Sequence, residues 1–195
     1  MNLNLDAHVV IVTGGTSGIG LATVRELAAE GARPVAVARG VPDSGLLPEG
    51  ADFIAADLSD PSVPDALVAA VLERHGRVDG LVNNAALFDT RDSFASIEDE
   101  LWRATFEVNV FAPVRLSRAV AAVLRERGGS IVHLGSEAAR MPDPTMAVYA
   151  ASKTALLSVS KSLAIEFGPL GIRSNVVSPG PTRTALFDAP GGFAD

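Results

Sequence analysis

Tyr149 is the only tyrosine of the chain, and Lys153, one of two lysines, stands four residues after it. Val148-Tyr149-Ala150-Ala151-Ser152-Lys153 leads into an apolar stretch with helical period. Side chains four apart on a helix share a face, so this spacing can hold an ammonium beside a phenol. A free phenol titrates near pH 10 and is a poor proton donor or acceptor at neutrality. A neighbouring cation favours the phenolate, and the spacing therefore predicts a phenol lowered into the range of a general acid or base. Ser136, thirteen residues earlier, could reach the same substrate oxygen with its hydroxyl.

A second constellation could hold a phosphate. In Thr13-Gly14-Gly15-Thr16-Ser17-Gly18-Ile19-Gly20, glycines let the backbone turn tightly and approach a ligand. The helix that follows offers unpaired N–H groups and a partial positive charge to a pyrophosphate. A glycine turn alone is a weak signal; its position between a strand and a helix strengthens it.

The elements that must position these groups alternate along the chain. The predicted strands are His8–Thr13, Val35–Ala38, Phe53–Ala56, Val78–Val82, Ser130–Leu134 and Ile172–Val177. Between them lie helical segments: Leu21–Glu30 closed by Gly31, Ser62–His75 with Pro61 near its first turn and Gly76 after its end, and Val148–Phe167. Ile97–Arg127 reads as two helical segments kinked or divided at Pro113. Gly40–Asp52, with two prolines and three glycines, reads as a loop with at most one helical turn. This alternation predicts an α/β fold, a parallel sheet covered on both faces. Strand C-termini in such sheets point into the ligand crevice, which would bring Ser136 to Tyr149. One domain over residues 1–195 is expected, with 182–195 irregular and mobile.

At the end of the second strand, an acidic residue would bind a ribose 2′-hydroxyl, whereas an arginine accommodates a 2′-phosphate. Here the strand ends Ala38-Arg39-Gly40, which favours NADP(H) over NAD(H). Asp57 and Leu58, after the third strand, combine a capping reading with an adenine contact.

Bulk properties narrow the partners. A net charge of −7 without a basic run argues against nucleic acid or an anionic membrane surface. The chain has no cysteine, and its three histidines are scattered, so neither thiol chemistry nor a metal site is expected. No apolar run suits a membrane span and no signal peptide is evident, which makes a cytoplasmic location the expectation.

Taken in order, the motifs are Thr13-Gly14-x-x-x-Gly18-Ile19-Gly20, Asp57-Leu58, Asn83-Asn84-Ala85-Ala86, Asn109, Ser136, Tyr149-x-x-x-Lys153 and Pro179-Gly180-x-x-x-Thr184. This series resembles the short-chain dehydrogenases/reductases over nearly the whole chain. The resemblance implies a Rossmann-like, doubly wound, three-layer sheet. Tyr149 would then be the general acid for carbonyl reduction or the base for alcohol oxidation. Lys153 would lower its pKa and hold the nicotinamide ribose, Ser136 would orient the substrate oxygen, and Asn109 would position a water beside Lys153. Gly14, Thr16, Ser17, Gly18, Ile19 and Gly20 would hold the pyrophosphate, and Asn84 and Ala85 would run along the cofactor. Pro179, Gly180, Thr182 and Thr184 would border the nicotinamide. Glu137, Ala138, Met141 and Met146, with Leu87 and Phe88 nearby, would line the substrate pocket.

Three departures from the family pattern stand out. Ala86 replaces a glycine, which would cost energy if its φ were positive. His133 replaces a more usual asparagine and reads as a packed strand residue, not a second base. The sequence ends eleven residues after Thr184. The usual seventh strand and substrate-loop helices are absent, so this is either a piece of a longer chain or a short protein with an open pocket. A homodimer or homotetramer is expected, built on the helices Leu101–Leu124 and Val148–Phe167. The expected activity is reduction of a small carbonyl compound with NADP(H). The alternatives are NAD(H)-dependent oxidation of a hydroxyl or diol, and an inactive cofactor-binding sensor or scaffold.

Overall fold

The computed structural model describes residues 3–184. Six strands form one sheet: β1 (Val9–Thr13), β2 (Arg33–Ala38), β3 (Asp52–Ala55), β4 (Gly80–Asn83), β5 (Gly129–Leu134) and β6 (Ile172–Val177). Every pairing is parallel, in the order β3-β2-β1-β4-β5-β6. Five α-helices connect them: α1 (Gly18–Ala29), α2 (Val63–His75), α3 (Asp99–Phe106), α4 (Ala112–Leu124) and α5 (Ala147–Phe167). Parallel strands need crossovers, and the crossovers cover both faces of the sheet.

Alternation along the strands sorts the core. Val9 and Ile11 of β1 face a large cluster with Leu67, Val68 and Val71 of α2 and Leu116, Val120 and Leu124 of α4. Val10 and Val12 face the opposite cluster with Val24 of α1. Leu47 and Ala51 of the loop between β2 and β3 pack against that second cluster, so the loop does part of a helix's covering. This is the doubly wound, three-layer α/β architecture expected.

Several boundaries differ from the sequence reading. α1 starts at Gly18, three residues early, because glycines of low helix propensity form its first turn. The proline in the first turn of α2 is Pro64, not Pro61, and Gly76 ends the helix at φ 71°. The break between α3 and α4 precedes Pro113. A π-helical turn, Glu107–Phe111, joins the two helices, with the Ala112 N–H donating to the Glu107 carbonyl. Pro113 has no N–H for the carbonyl of Asn109, which agrees with a break at this point. Ala86 has no positive φ, since Asn4 and Ala7 are the non-glycine residues with one among those described; the anticipated cost does not arise. The expectation of mobility in Ala189-Pro190-Gly191-Gly192 lies outside the described residues.

Candidate active site

The strand order reverses between β1 and β4, where a crevice opens beyond the strand C-termini. A cleft of about 800 Å³ occupies this place. Of the expected site residues, Gly14, Thr16, Ser17, Gly18, Ile19, Arg39, Asp57, Leu58, Asn84, Ala85, Ser136, Tyr149, Lys153, Pro179, Gly180, Thr182 and Thr184 line it. Gly20 and Asn109 lie behind its wall.

Thr13, at the end of β1, ties the crevice together. Its Oγ1 accepts the backbone N–H of Asn84 (2.9 Å) and of Ala85 (3.0 Å) and donates to the Val82 carbonyl (3.3 Å). In return, Asn84 Nδ2 donates to the carbonyls of Thr13 (2.8 Å) and Gly14 (3.3 Å). The loops after β1 and β4 are thus sewn to each other, and Asn84 is as much a strut as a cleft wall. The packing admits no side chain at Gly20, where a Cβ would lie 2.2 Å from the Gly14 carbonyl oxygen. Gly14 itself has φ +65°, a left-handed conformation that favours glycine.

The mouth of α1 suits an anion. Ser17 caps the helix without a side-chain hydrogen bond, and no acidic residue occupies the first turn. Its leading N–H groups therefore face the cleft with their partial positive charge unopposed. Farther along, Arg39 and Asp57 stand together beyond β2 and β3. The Asp57 carboxyl is held below its usual range, first by the Ser59 backbone N–H and hydroxyl and lastly by the Arg39 charge. A cleft of this size, helix N–H groups and a nearby guanidinium fit a nicotinamide dinucleotide.

At the opposite end, Ser136 leaves β5 in extended conformation and its Oγ accepts from the Ala138 N–H at 3.1 Å. Tyr149 lies in the first turn of α5, with Phe88 edge-on to its ring at 5.0 Å. Lys153 is 2 % exposed, and its Nζ donates to the Leu134 carbonyl at 2.6 Å. That ammonium is 5.6 Å from the centre of the Tyr149 ring.

The titration of Tyr149 departs from the sequence expectation. Burial pushes its phenol above the usual value, and a hydrogen bond with Ser136 only partly opposes this. Lys153 donates a hydrogen bond to the Leu134 carbonyl, and burial, not the neighbouring cation, sets the direction of the phenol's titration. Burial lowers Lys153 itself to about 8, leaving it mostly charged at neutrality.

Asn109 sits in the π-helical turn and is fully buried. Its Oδ1 accepts the Leu87 N–H (2.7 Å), and its Nδ2 donates to the Leu87 carbonyl (2.9 Å) and Ser152 Oγ (3.0 Å). Its side chain braces the wall of the cleft. His133, fully buried on β5, receives Asn83 Nδ2 at its Nδ1 (3.3 Å), while Asn83 also donates to Ser117 Oγ (3.1 Å). Desolvation, with help from the Lys153 charge, drops His133 to about 4, so it is neutral and structural. Sequence reasoning missed the hub role of Thr13 and the supports Ser117 and Ser152. A polar residue at the buried end of an apolar strand was the available signal for Thr13; the helical serines carried none. Among the described residues, no helix is long and apolar enough to cross a membrane, and no His/Cys/Asp/Glu group is arranged to hold a metal.

The comparisons with known proteins agree with this geometry. The family model for short chain dehydrogenases matches residues 8–190. A short chain dehydrogenase of Penicillium brasilianum is 39 % identical over 180 residues, which cover 91 % of this chain and 70 % of the relative. The galactitol 2-dehydrogenase of Agrobacterium fabrum is 34 % identical over 184 residues, covering 91 % and 72 %. Among solved structures, the 3-ketoacyl-(acyl-carrier-protein) reductase of Brucella melitensis, complexed with NADH, superposes with a TM-score of 0.88 at 32 % identity, over 94 % of this chain and 80 % of that one. The chain belongs to the short-chain dehydrogenase/reductase family and is an NAD(P)-dependent oxidoreductase.

Proposed function

We propose that this protein reduces a small carbonyl compound with NADP(H), with Tyr149 as the general acid, or oxidises the alcohol in reverse. The observation that carries the reading is the meeting of Ser136, Tyr149 and Lys153 in the cleft that begins at the mouth of α1. A bound nicotinamide supplies or accepts the hydride. Gly14, Thr16, Ser17, Gly18 and Ile19 hold the pyrophosphate, and Pro179, Gly180, Thr182 and Thr184 border the nicotinamide end. Arg39 favours a 2′-phosphate through its charge and fork of donors.

Ser136 orients the substrate oxygen. Tyr149, neutral because burial disfavours its anion, gives its phenolic proton to that oxygen as negative charge develops there. Lys153 then stabilises the phenolate left behind and contacts the nicotinamide ribose. The side chain of Asn109 is fully engaged, so its contribution to a water beside Lys153 falls to its backbone carbonyl. Phe111, just before α4, and Ile165, on α5, are exposed apolar residues, and these support a homodimer. A cytoplasmic location belongs to the same proposal.

The relative that acts on galactitol favours a second reading, NAD(H)-dependent oxidation of a hydroxyl or diol. Tyr149→Phe removes turnover and leaves NADPH binding, followed by nicotinamide fluorescence, within about threefold. Unchanged turnover in that variant refutes the assigned acid. Absence of turnover in the wild-type protein, with cofactor bound, points to the sensor or scaffold alternative. Clearly tighter NADH than NADPH binding favours the second reading.

A further inference from the structure

The charged groups of the cleft divide between its two ends. Arg39 and Asp57 stand beyond β2 and β3, whereas Glu137, Asp143 and Lys153 stand at the reactive end. Lys153 is buried and engaged by the Leu134 carbonyl. Asp143 Oδ1 is engaged by the Thr145 N–H and hydroxyl. Glu137 follows Ser136 directly, and its backbone N–H donates to the Pro179 carbonyl at 3.0 Å, tying it to the opposite wall. Its carboxylate lies over Gly180, where a Cβ would be 3.2 Å from Oε2. None of the salt bridges among the described residues includes Glu137.

We propose that Glu137 is a specificity-determining residue, selecting substrates with a hydroxyl or ammonium donor next to the reacting carbon and rejecting carboxylates there. The proposal rests on the oxidoreductase reading above. Ser136 and Glu137 line the same cleft, and the Glu137 carboxylate lies beside Gly180 on its wall, near a substrate whose oxygen Ser136 holds. An ionised carboxylate only accepts hydrogen bonds, so it rewards a donor and repels an anion. The surrounding wall, with Leu87, Met141 and Met146, offers apolar contact, and the cation at this end, Lys153, is buried and engaged by the Leu134 carbonyl. The carboxylate is exposed, so the discrimination is modest, about fivefold for the charged substituents.

The test is a series sharing one skeleton: butanone, hydroxyacetone, aminoacetone and acetoacetate, assayed with NADPH by kcat/KM relative to butanone. The wild-type protein is expected to favour aminoacetone and hydroxyacetone over butanone, and butanone over acetoacetate. In Glu137→Gln the aminoacetone ratio falls and the acetoacetate ratio rises, each about fivefold, while the hydroxyacetone ratio holds because the amide oxygen still accepts. That pattern separates charge from hydrogen bonding as the source. Glu137→Asp keeps the wild-type order, and 0.5 M salt compresses the charged ratios in the wild-type protein. NADPH titration confirms that each variant is folded. Identical ratios in the wild-type protein and Glu137→Gln overturn the inference and leave the oxidoreductase reading intact. No turnover of any member by wild-type protein that binds NADPH overturns both.

Discussion

Thr13→Val replaces a hydroxyl by a methyl of nearly the same size, in a site 1 % exposed. The volume is preserved, so the change removes hydrogen bonding and leaves packing in place. The Asn84 and Ala85 N–H groups lose their acceptor, and the Val82 carbonyl loses a donor at 3.3 Å. An unsatisfied buried group costs about 1–3 kcal/mol. Asn84 and Ala85 are only partly buried, which places each near the lower end and the sum at about 2–3 kcal/mol. For a chain of this size, that corresponds to a fall in Tm of about 6–9 °C, or a urea midpoint lower by about 1 M with the slope unchanged. NADPH affinity falls as well, because the loops after β1 and β4 lose their common tether. Thr13→Ser keeps the hydroxyl and recovers most of both losses. A Thr13→Val protein that melts within about 1 °C of wild type refutes the reasoning, as does a Thr13→Ser protein no better than Thr13→Val.

His133, held at about 4 against an ordinary 6.5, makes stability depend on acid. Its folded pKa is depressed, so the unfolded chain binds the extra proton first, and the contribution present above pH 6.5 is lost as pH falls towards 4. The loss is about 3 kcal/mol, and urea melts from pH 7 to 4 should show it shrink in His133→Leu; an unchanged pH slope refutes the assignment. The carboxylates Asp52 and Asp79, both held below 3.8, lose their stabilising contribution only at the acid edge of that window, and the comparison with His133→Leu cancels their share. Arg39→Ala should weaken NADPH about tenfold while NADH changes little, by fluorescence titration; an equal effect on both removes the 2′-phosphate role.

The fold was largely legible because its signals are local. Short apolar runs such as Val9–Val12 and Val35–Val37, alternating with helical segments, fit strands of a parallel sheet buried on both faces. Helix ends were less legible wherever glycine or proline served a purpose other than termination. Gly18, at φ +50°, and Gly20, close against the Gly14 carbonyl, opened α1, and Pro113 stood in the first turn of α4 after the break had occurred at Asn109. In the site, Ser136, Tyr149 and Lys153 were legible from residue type, spacing and family pattern. Their supports were not, because a serine on a helix reads as a solvated residue until another element packs on it. Ser117 and Ser152 are both fully buried.

From sequence alone came the identity of the chemical groups, the strand–helix alternation and the order of motifs, all set by covalent order and local periodicity. Tertiary structure alone decided their environment: which cation spends its charge on which carbonyl, which asparagine is a strut, and which phenol is dry. The Tyr149–Lys153 pair illustrates the division. Its spacing placed an ammonium near a phenol, but the direction of the phenol's titration followed from burial, only partly opposed by Ser136, while the lysine's hydrogen bond goes to the Leu134 carbonyl. Desolvation and long-range hydrogen bonding depend on what the fold packs around a residue, and no window of sequence contains that.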